Sequence, residues 1–289
     1  MIKTALLRVL ARLPLIWLQR AGAALGWLIY ELSPAYARRL RDNLRASGVW
    51  SNEAHYQRLL HASIAEAGKG VLEIVKIWFG PVESVTALVV CKTWAVVDEA
   101  RSGGRGLIFL TPHLGCFEVS AFYGAQRLPL TVLYRPPRVR WLEPLMLAGR
   151  VRGQAKLAPA TLRGVRALYK ALLDGQAVGL LPDQAPGAGE GRWASFFGRP
   201  AYTMTLVTRL QQATGAAIVL AFAERLPRGA GYELHLERVP TDGFDERALN
   251  RAIENVVRRR PEQYLWSYNR YKVPAGAKRP PDTAAQEET

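Results

Sequence analysis

Leu107-Ile-Phe-Leu-Thr-Pro-His113-Leu-Gly-Cys-Phe-Glu118 is the stretch on which the reading of this chain turns. The apolar run Leu107–Leu110 is too short for a helix and is bounded by the turn cluster Gly103-Gly104-Arg105-Gly106 and by Pro112, so it reads as a buried strand. His113 then stands in the loop at the strand's carboxyl end. Gly115 lets the chain turn, and Cys116–Arg127 has the composition of a helix, which puts Glu118 in its first turn. On one continuous helix, residues five apart point about 140° away from each other. A histidine in the loop and a carboxylate in the first turn can meet. The expectation is that Glu118 accepts the His113 Nδ1–H and leaves Nε2 as a base for a hydroxyl. A lone histidine at a strand end is more often a surface or core residue, so the weight of this reading rests on the remainder of the chain.

The strand does not stand alone. Leu130–Tyr134, Ala177–Leu181 and Ala217–Ala223 read as further strands, alternating with helices over Leu162–Asp174 and Thr203–Thr214, and this alternation indicates an α/β layered domain. Tyr232–Val239 alternates polar and apolar, as an edge strand with one wet face does. Asp245–Arg260 reads as a helix with acids in its first turn, three arginines in its last and Pro261 as its stop. Upstream, a long helical pattern runs from Ser51-Asn52 to Phe79, stopped by Gly80-Pro81, with Gly68 and Gly70 marking a break or a close packing contact. The fold expected is a central mixed sheet flanked by helices, preceded by a membrane-associated N-terminal helix.

That N-terminal segment carries Lys3, Arg8 and Arg12 ahead of two apolar runs. Gln19 and Arg20 interrupt them, leaving fewer clean residues than the roughly 20 a spanning helix needs. An in-plane or shallow anchor fits better, with Trp17, Trp27 and Tyr30 at headgroup level and Arg38, Arg39 and Arg41 suited to an anionic leaflet. A buried amphipathic helix is the competing explanation. Residues 1–32 are thus taken as the anchor, 33–273 as the α/β domain, and 274–289, rich in Pro, Ala and charge, as a disordered tail.

A net charge of +15 calls for an anionic partner: nucleic acid, an anionic bilayer, or a phosphorylated or acidic substrate. The two cysteines, Cys91 and Cys116, have no metal-ligand or disulfide-framework spacing. Motifs of serine hydrolases, zinc proteases and P-loops are missing; Gly187-Ala-Gly-Glu-Gly191 lacks a following Lys-Ser/Thr and reads as a mobile loop. In an open α/β sheet, ligand groups gather beyond the carboxyl ends of strands. Three such ends carry suggestive residues: His113, then Arg135-Pro136, then Asp183-Gln184. Arg135 is a permanent cation with a planar donor fork for phosphate or carboxylate. Nine basic residues and one acid lie between Arg135 and Lys170, with Arg163, Arg166 and Lys170 on one helix face. A solvated basic face and an anion-binding surface both account for them.

His113-Leu-Gly-Cys-Phe-Glu118 resembles the HX4(D/E) motif of the glycerolipid acyltransferase superfamily. Together with Tyr134-Arg135-Pro136, Leu181-Pro-Asp-Gln184, Phe196-Phe197-Gly198 and Tyr264–Arg270, it resembles the bacterial lipid A biosynthesis acyltransferases, the late lauroyl and myristoyl transferases, over nearly the whole chain to about Pro274. The resemblance implies an acyl-carrier-protein thioester as donor, a hydroxyl of an anionic glycolipid as acceptor, no cofactor, no metal, no nucleic acid, and a place on the cytoplasmic face of the inner membrane. It makes His113 the general base and Glu118 its partner, with Arg135, Arg163, Asp183 and Gln184 on the substrate side. Relatives of this family acylate ornithine lipids or lysophospholipids. The rival from another class is a non-enzymatic basic protein that binds membranes or nucleic acid. Cys116, between the motif's histidine and carboxylate, offers a competing thiol nucleophile.

Overall fold

In the computed structural model, which describes residues 2–137 and 139–278, the chain opens with helices that pack on one another. They are α1 (Ile2–Leu10), α2 (Leu15–Leu32), α3 (Pro34–Ala46) and the long α4 (Glu53–Phe79), followed by the short α5 (Val82–Thr86). The Asn52 side chain caps α4 by accepting from the His55 N–H at 2.9 Å, and Gly80 ends it before Pro81. Of the two readings of Gly68, a break or a close packing contact, the structure shows the second: the helix runs through. A Cβ on Gly68 would stand 2.1 Å from the Gly22 carbonyl and 2.6 Å from the Gly26 Cα, so only glycine lets α2 and α4 approach this closely.

This packing changes the reading of the N-terminus. The anticipated single helix is two, parted by a turn before Pro14, and α2 buries Leu15, Leu18, Gln19, Gly22 and Gly26 against the body of the protein. Among the described residues no helix is long and apolar enough to cross a membrane. The outward side of the segment nevertheless exposes Leu6, Val9, Leu13 and Trp17.

The α/β layer follows: β1 (Val89–Val90), α6 (Ala95–Ser102), β2 (Leu107–Leu110), α7 (Phe117–Ala125), β3 (Leu130–Tyr134), α8 (Glu143–Arg150), β4 (Ala155–Pro159), α9 (Leu162–Leu173) and β5 (Ala177–Leu180). After the hairpin β6 (Gly191–Phe196) and β7 (Arg199–Met204) come α10 (Leu206–Thr214), β8 (Ala217–Arg225), β9 (Tyr232–Val239) and α11 (Glu246–Val257). Seven strands form one sheet in the order β1-β9-β8-β2-β5-β3-β4. All neighbours in it are parallel except β8 and β9, which makes the sheet mixed with helices on both faces. Strand β2 is central, and Leu107–Leu110 are all buried, as a parallel strand covered on both faces must be.

One strand reading is amended. Strand β9 is not the edge, because β1 pairs beyond it. The segment Gly187–Gly191 leads directly into the β6–β7 hairpin, where Glu190 Oε2 accepts from the Gly187 N–H at 2.9 Å. Of the tail, residues 274–278 are described, with Lys278 O accepting from the Trp193 indole at 3.1 Å. The remainder of the expectation of disorder, 279–289, falls outside the described residues.

Candidate active site

Strands β2 and β5 lie side by side in register, Leu110 opposite Leu180, and Thr111 N–H adds one more bond to Leu180 O at 2.9 Å. His113 and Asp183 each follow their strand's last paired residue by three positions, so the two loops deliver them to the same place. His113 Nδ1 stands 2.8 Å from Asp183 Oδ1, and its backbone N–H donates to Asp183 Oδ2, also at 2.8 Å. One carboxylate therefore fixes both the loop and the ring.

Asp183 is buried, and burial by itself would raise its pKa. The facing His113 and the hydrogen bonds His113 donates outweigh that effect, so the pKa falls below the ordinary Asp value. An ionised carboxylate can only accept, which places the imidazole proton on Nδ1 and the lone pair on Nε2. Gln184 Nε2 stands 3.2 Å from His113 Nε2. Tyr264 is packed beside Asp183; burial pushes its phenol well above the usual value, and the Asp183 charge adds to the rise.

Glu118 is in the first turn of α7, as anticipated, but it does not meet His113. Both its oxygens are taken by Arg150, with Nε at 3.1 and 3.0 Å and a second contact from Nη2, and the Trp78 indole donates to Oε2 at 2.9 Å. A carboxylate this buried is stable where donors reach it, and α8 and α4 supply them. The carboxylate on the imidazole is Asp183, and the pairing expected between His113 and Glu118 is corrected accordingly.

The loop between β2 and α7 is held from below. Gly115 has φ +61°, and a Cβ there would lie 2.0 Å from Ala223 O, so the position demands glycine both for its backbone and for space. Gly115 N–H donates to Gln263 O at 3.1 Å, Cys116 N–H to Ala223 O at 2.8 Å, and Leu265 N–H to His113 O at 3.0 Å. Arg225 Nη2 donates to Gly115 O at 2.7 Å while its Nε and Nη1 engage Glu73 and Glu66 of α4 at 2.8 and 3.1 Å. Burial alone would lower the Arg225 pKa, but the two glutamates hold it above its ordinary value. Cys116 is buried in the same core, and burial pushes its thiol well above the ordinary value. It is an inert core thiol, not an activated nucleophile.

Beside the dyad, an apolar cavity opens between the sheet and helices α4, α7 and α8. Phe109, Val132, Gly179 and Leu236 line its sheet side, Phe117 and Phe122 its helix side, and Trp78, Glu118 and Arg150 one wall. The His113 ring lies 4.8 Å, centroid to centroid, from the Phe117 ring, which connects the imidazole to the cavity. Arg135, at the carboxyl end of β3, and Arg163, in the first turn of α9, are both exposed to solvent. Among the candidate residues, His113, Asp183 and Gln184 are thus brought together, Glu118 lies in the cavity wall, and Arg135 and Arg163 remain on the surface. Arg150 and Arg225 have no local signal in the sequence that marks them; Tyr264 stands in the Tyr264–Arg270 stretch without a role attached to it, and Trp78 reads only as an apolar position of the long helix.

An imidazole with its tautomer fixed, near an apolar cavity, has the geometry suited to moving an acyl group onto a hydroxyl. The model of the bacterial lipid A biosynthesis acyltransferases matches residues 1–273. The chain is 24% identical to the lipid A biosynthesis lauroyltransferase of Escherichia coli (strain K12), over 92% of this chain and 88% of that protein. It is 27% identical to the palmitoleoyltransferase of the same strain, over 90% and 92%, and 23% identical to its myristoyltransferase, over 84% and 77%. With a match spanning nearly its whole length, this chain is an acyltransferase and belongs to the bacterial lipid A biosynthesis acyltransferase family.

Proposed function

We propose that the protein transfers a fatty acyl chain from an acyl-carrier-protein thioester to a hydroxyl of a lipid A precursor, working at the cytoplasmic face of the inner membrane. The observation that carries this reading is the His113–Asp183 pair, whose imidazole packs on Phe117 of the apolar cavity. The relatives' names, lauroyl-, palmitoleoyl- and myristoyltransferase, agree with an apolar lining of the cavity beside His113. In this reaction His113 Nε2 takes the proton from the acceptor hydroxyl as its oxygen attacks the thioester carbonyl. Asp183 stabilises the imidazolium that forms, the tetrahedral intermediate breaks its C–S bond, and the imidazolium returns the proton to the leaving thiolate. Glu118 and Arg150 hold one wall of the cavity. The exposed cations Arg135 and Arg163 meet the anionic glycolipid or the acidic carrier protein, and the +15 charge favours both encounters.

Membrane association is part of the proposal and is supported by the outward apolar side chains Leu6, Val9, Leu13 and Trp17, interspersed with Arg8, Arg12 and Arg20. Such a surface lies in the interface plane. Mass spectrometry of lipids from cells with and without the gene tests the function: lipid A lacking one acyl chain in the deletion strain is expected. A change confined to phospholipids or ornithine lipids would replace the acceptor, and no change in any acylated lipid would overturn the reading.

A further inference from the structure

The lone pair that is to act as base is already occupied. Asp183 holds the proton on Nδ1, so His113 Nε2 accepts, and the group facing it at 3.2 Å is the Gln184 carboxamide nitrogen, a donor. We propose that Gln184 guards the base: its N–H caps Nε2 until an acceptor hydroxyl displaces it, and this restrains water from being activated when acceptor is absent. The inference rests on the acyl-transfer reading above and extends it to a positioning residue that decides between transfer and hydrolysis.

The geometry makes the guard specific. Gln184 follows Asp183 in sequence, so one tight loop after β5 supplies both partners of the imidazole, one on each nitrogen. The next residue is tied down, Ala185 N–H donating to the Tyr268 hydroxyl at 3.0 Å, which leaves the Gln184 side chain as the movable part. The His113 side chain retains 12% of its exposure, enough for solvent to approach if the cap is removed. A thioester in the cavity with an uncapped base is open to attack: water loses its proton to Nε2, its oxygen adds to the carbonyl, the C–S bond breaks, and the products are a free fatty acid and the thiol. A neutral amide is a weak enough partner to be displaced, since a hydrogen bond of this kind contributes about 1 kcal/mol net. A carboxylate at the same place would instead pair with an imidazolium and withdraw the base from use.

The test compares wild type with Gln184→Ala and with the similarly sized, donor-free Gln184→Met. Hydrolysis of the acyl-carrier-protein donor without acceptor is measured against transfer when a lipid A precursor is present. The ratio of hydrolysis to transfer is expected to rise about fivefold or more in both variants, the loss of one neutral hydrogen bond expressed as a rate ratio. Carbethoxylation of the four histidines by diethyl pyrocarbonate, followed by peptide mass spectrometry, reads the cap without any turnover. The His113 rate is expected to rise severalfold while His55, His61 and His235 are unchanged. An unchanged hydrolysis ratio together with an unchanged His113 rate in folded variants would overturn the guard. A wild-type protein that transfers no acyl group would defeat the functional reading instead, and the carbethoxylation rates would still decide whether Gln184 caps the base.

Discussion

Replacing Asp183 by Asn should cost the enzyme about three to four orders of magnitude in kcat/KM while leaving it folded. The carboxylate accepts twice from His113, at 2.8 Å from the ring and 2.8 Å from the backbone. An amide has one acceptor and one donor end, so it can satisfy only one of them. If its oxygen keeps the backbone N–H, its NH2 faces Nδ1, draws the proton to Nε2 and removes the base. If it turns over, the NH2 opposes the backbone N–H and leaves a buried donor unmade, about 1–3 kcal/mol. In both cases the imidazolium formed in the transition state loses its counter-charge, about 4 kcal/mol for unit charges 4 Å apart at an effective dielectric of 20. Together with part of the tautomer cost this gives roughly 4–5 kcal/mol, which at 1.36 kcal/mol per decade is a factor of about a thousand to ten thousand. The assay is acyl transfer with purified variant, alongside ¹⁵N spectra of the imidazole, which should show the proton moved from Nδ1 to Nε2. Activity within tenfold of wild type with an unmoved proton would refute the assignment of Asp183.

Glu118→Ala is expected to lower turnover and to destabilise the fold by about 3 kcal/mol in a denaturant titration, because it strands Arg150 in the cavity wall, yet the His113 tautomer in ¹⁵N spectra should not change. Asp183 has a depressed pKa in the folded protein, so its contribution to stability is complete above the unfolded Asp value near 3.9 and is lost as pH falls below it; unfolding free energies that instead rose on acidification through that range would contradict its pairing with His113. Gly68→Ala should destabilise by about 1–3 kcal/mol and release α2 from α4, seen as faster amide exchange in both helices, since its Cβ meets backbone and not a movable side chain. Cys116→Ala should keep most of its activity, and incubating wild type with donor alone should leave its intact mass unchanged; a stoichiometric acyl adduct on Cys116 would replace direct transfer by a thiol intermediate.

How far the sequence carries can be seen at His113. A short apolar run between a glycine cluster and Pro112 was enough to place β2, and the alternation of strands and helices was enough for the layered fold, because both signals are local. The same locality misassigned the partner of His113. Glu118, five residues away, was within view, while Asp183 is 70 residues away and becomes a neighbour only because β2 and β5 pair in register. Strand order is not written in periodicity, so Asp183 could be placed at a strand end but not on the imidazole. Strand β4 and the β6–β7 hairpin were passed over for a related reason: Ala155–Pro159 lies within a basic stretch, and the hairpin turns at Phe197, a non-glycine with φ +47°, instead of at an obvious Asn-Gly. The N-terminal helices read as an anchor because an apolar stripe looks the same whether lipid or α4 covers it. The Gly22, Gly26 and Gly68 contacts, with Leu15, Leu18 and Gln19, mark the buried side.

In the proposed reaction His113 is the base for transfer from a thioester to a lipid hydroxyl. The most direct test incubates purified wild type and His113→Ala with carrier protein bearing an isotopically labelled acyl chain and with a lipid A precursor, and follows the label by mass spectrometry. Wild type is expected to produce a labelled ester on the precursor, and His113→Ala to produce it at least a hundredfold more slowly, the scale of a lost general base. Label that stays on the carrier with wild type, or passes to the precursor as fast in folded His113→Ala, would contradict it.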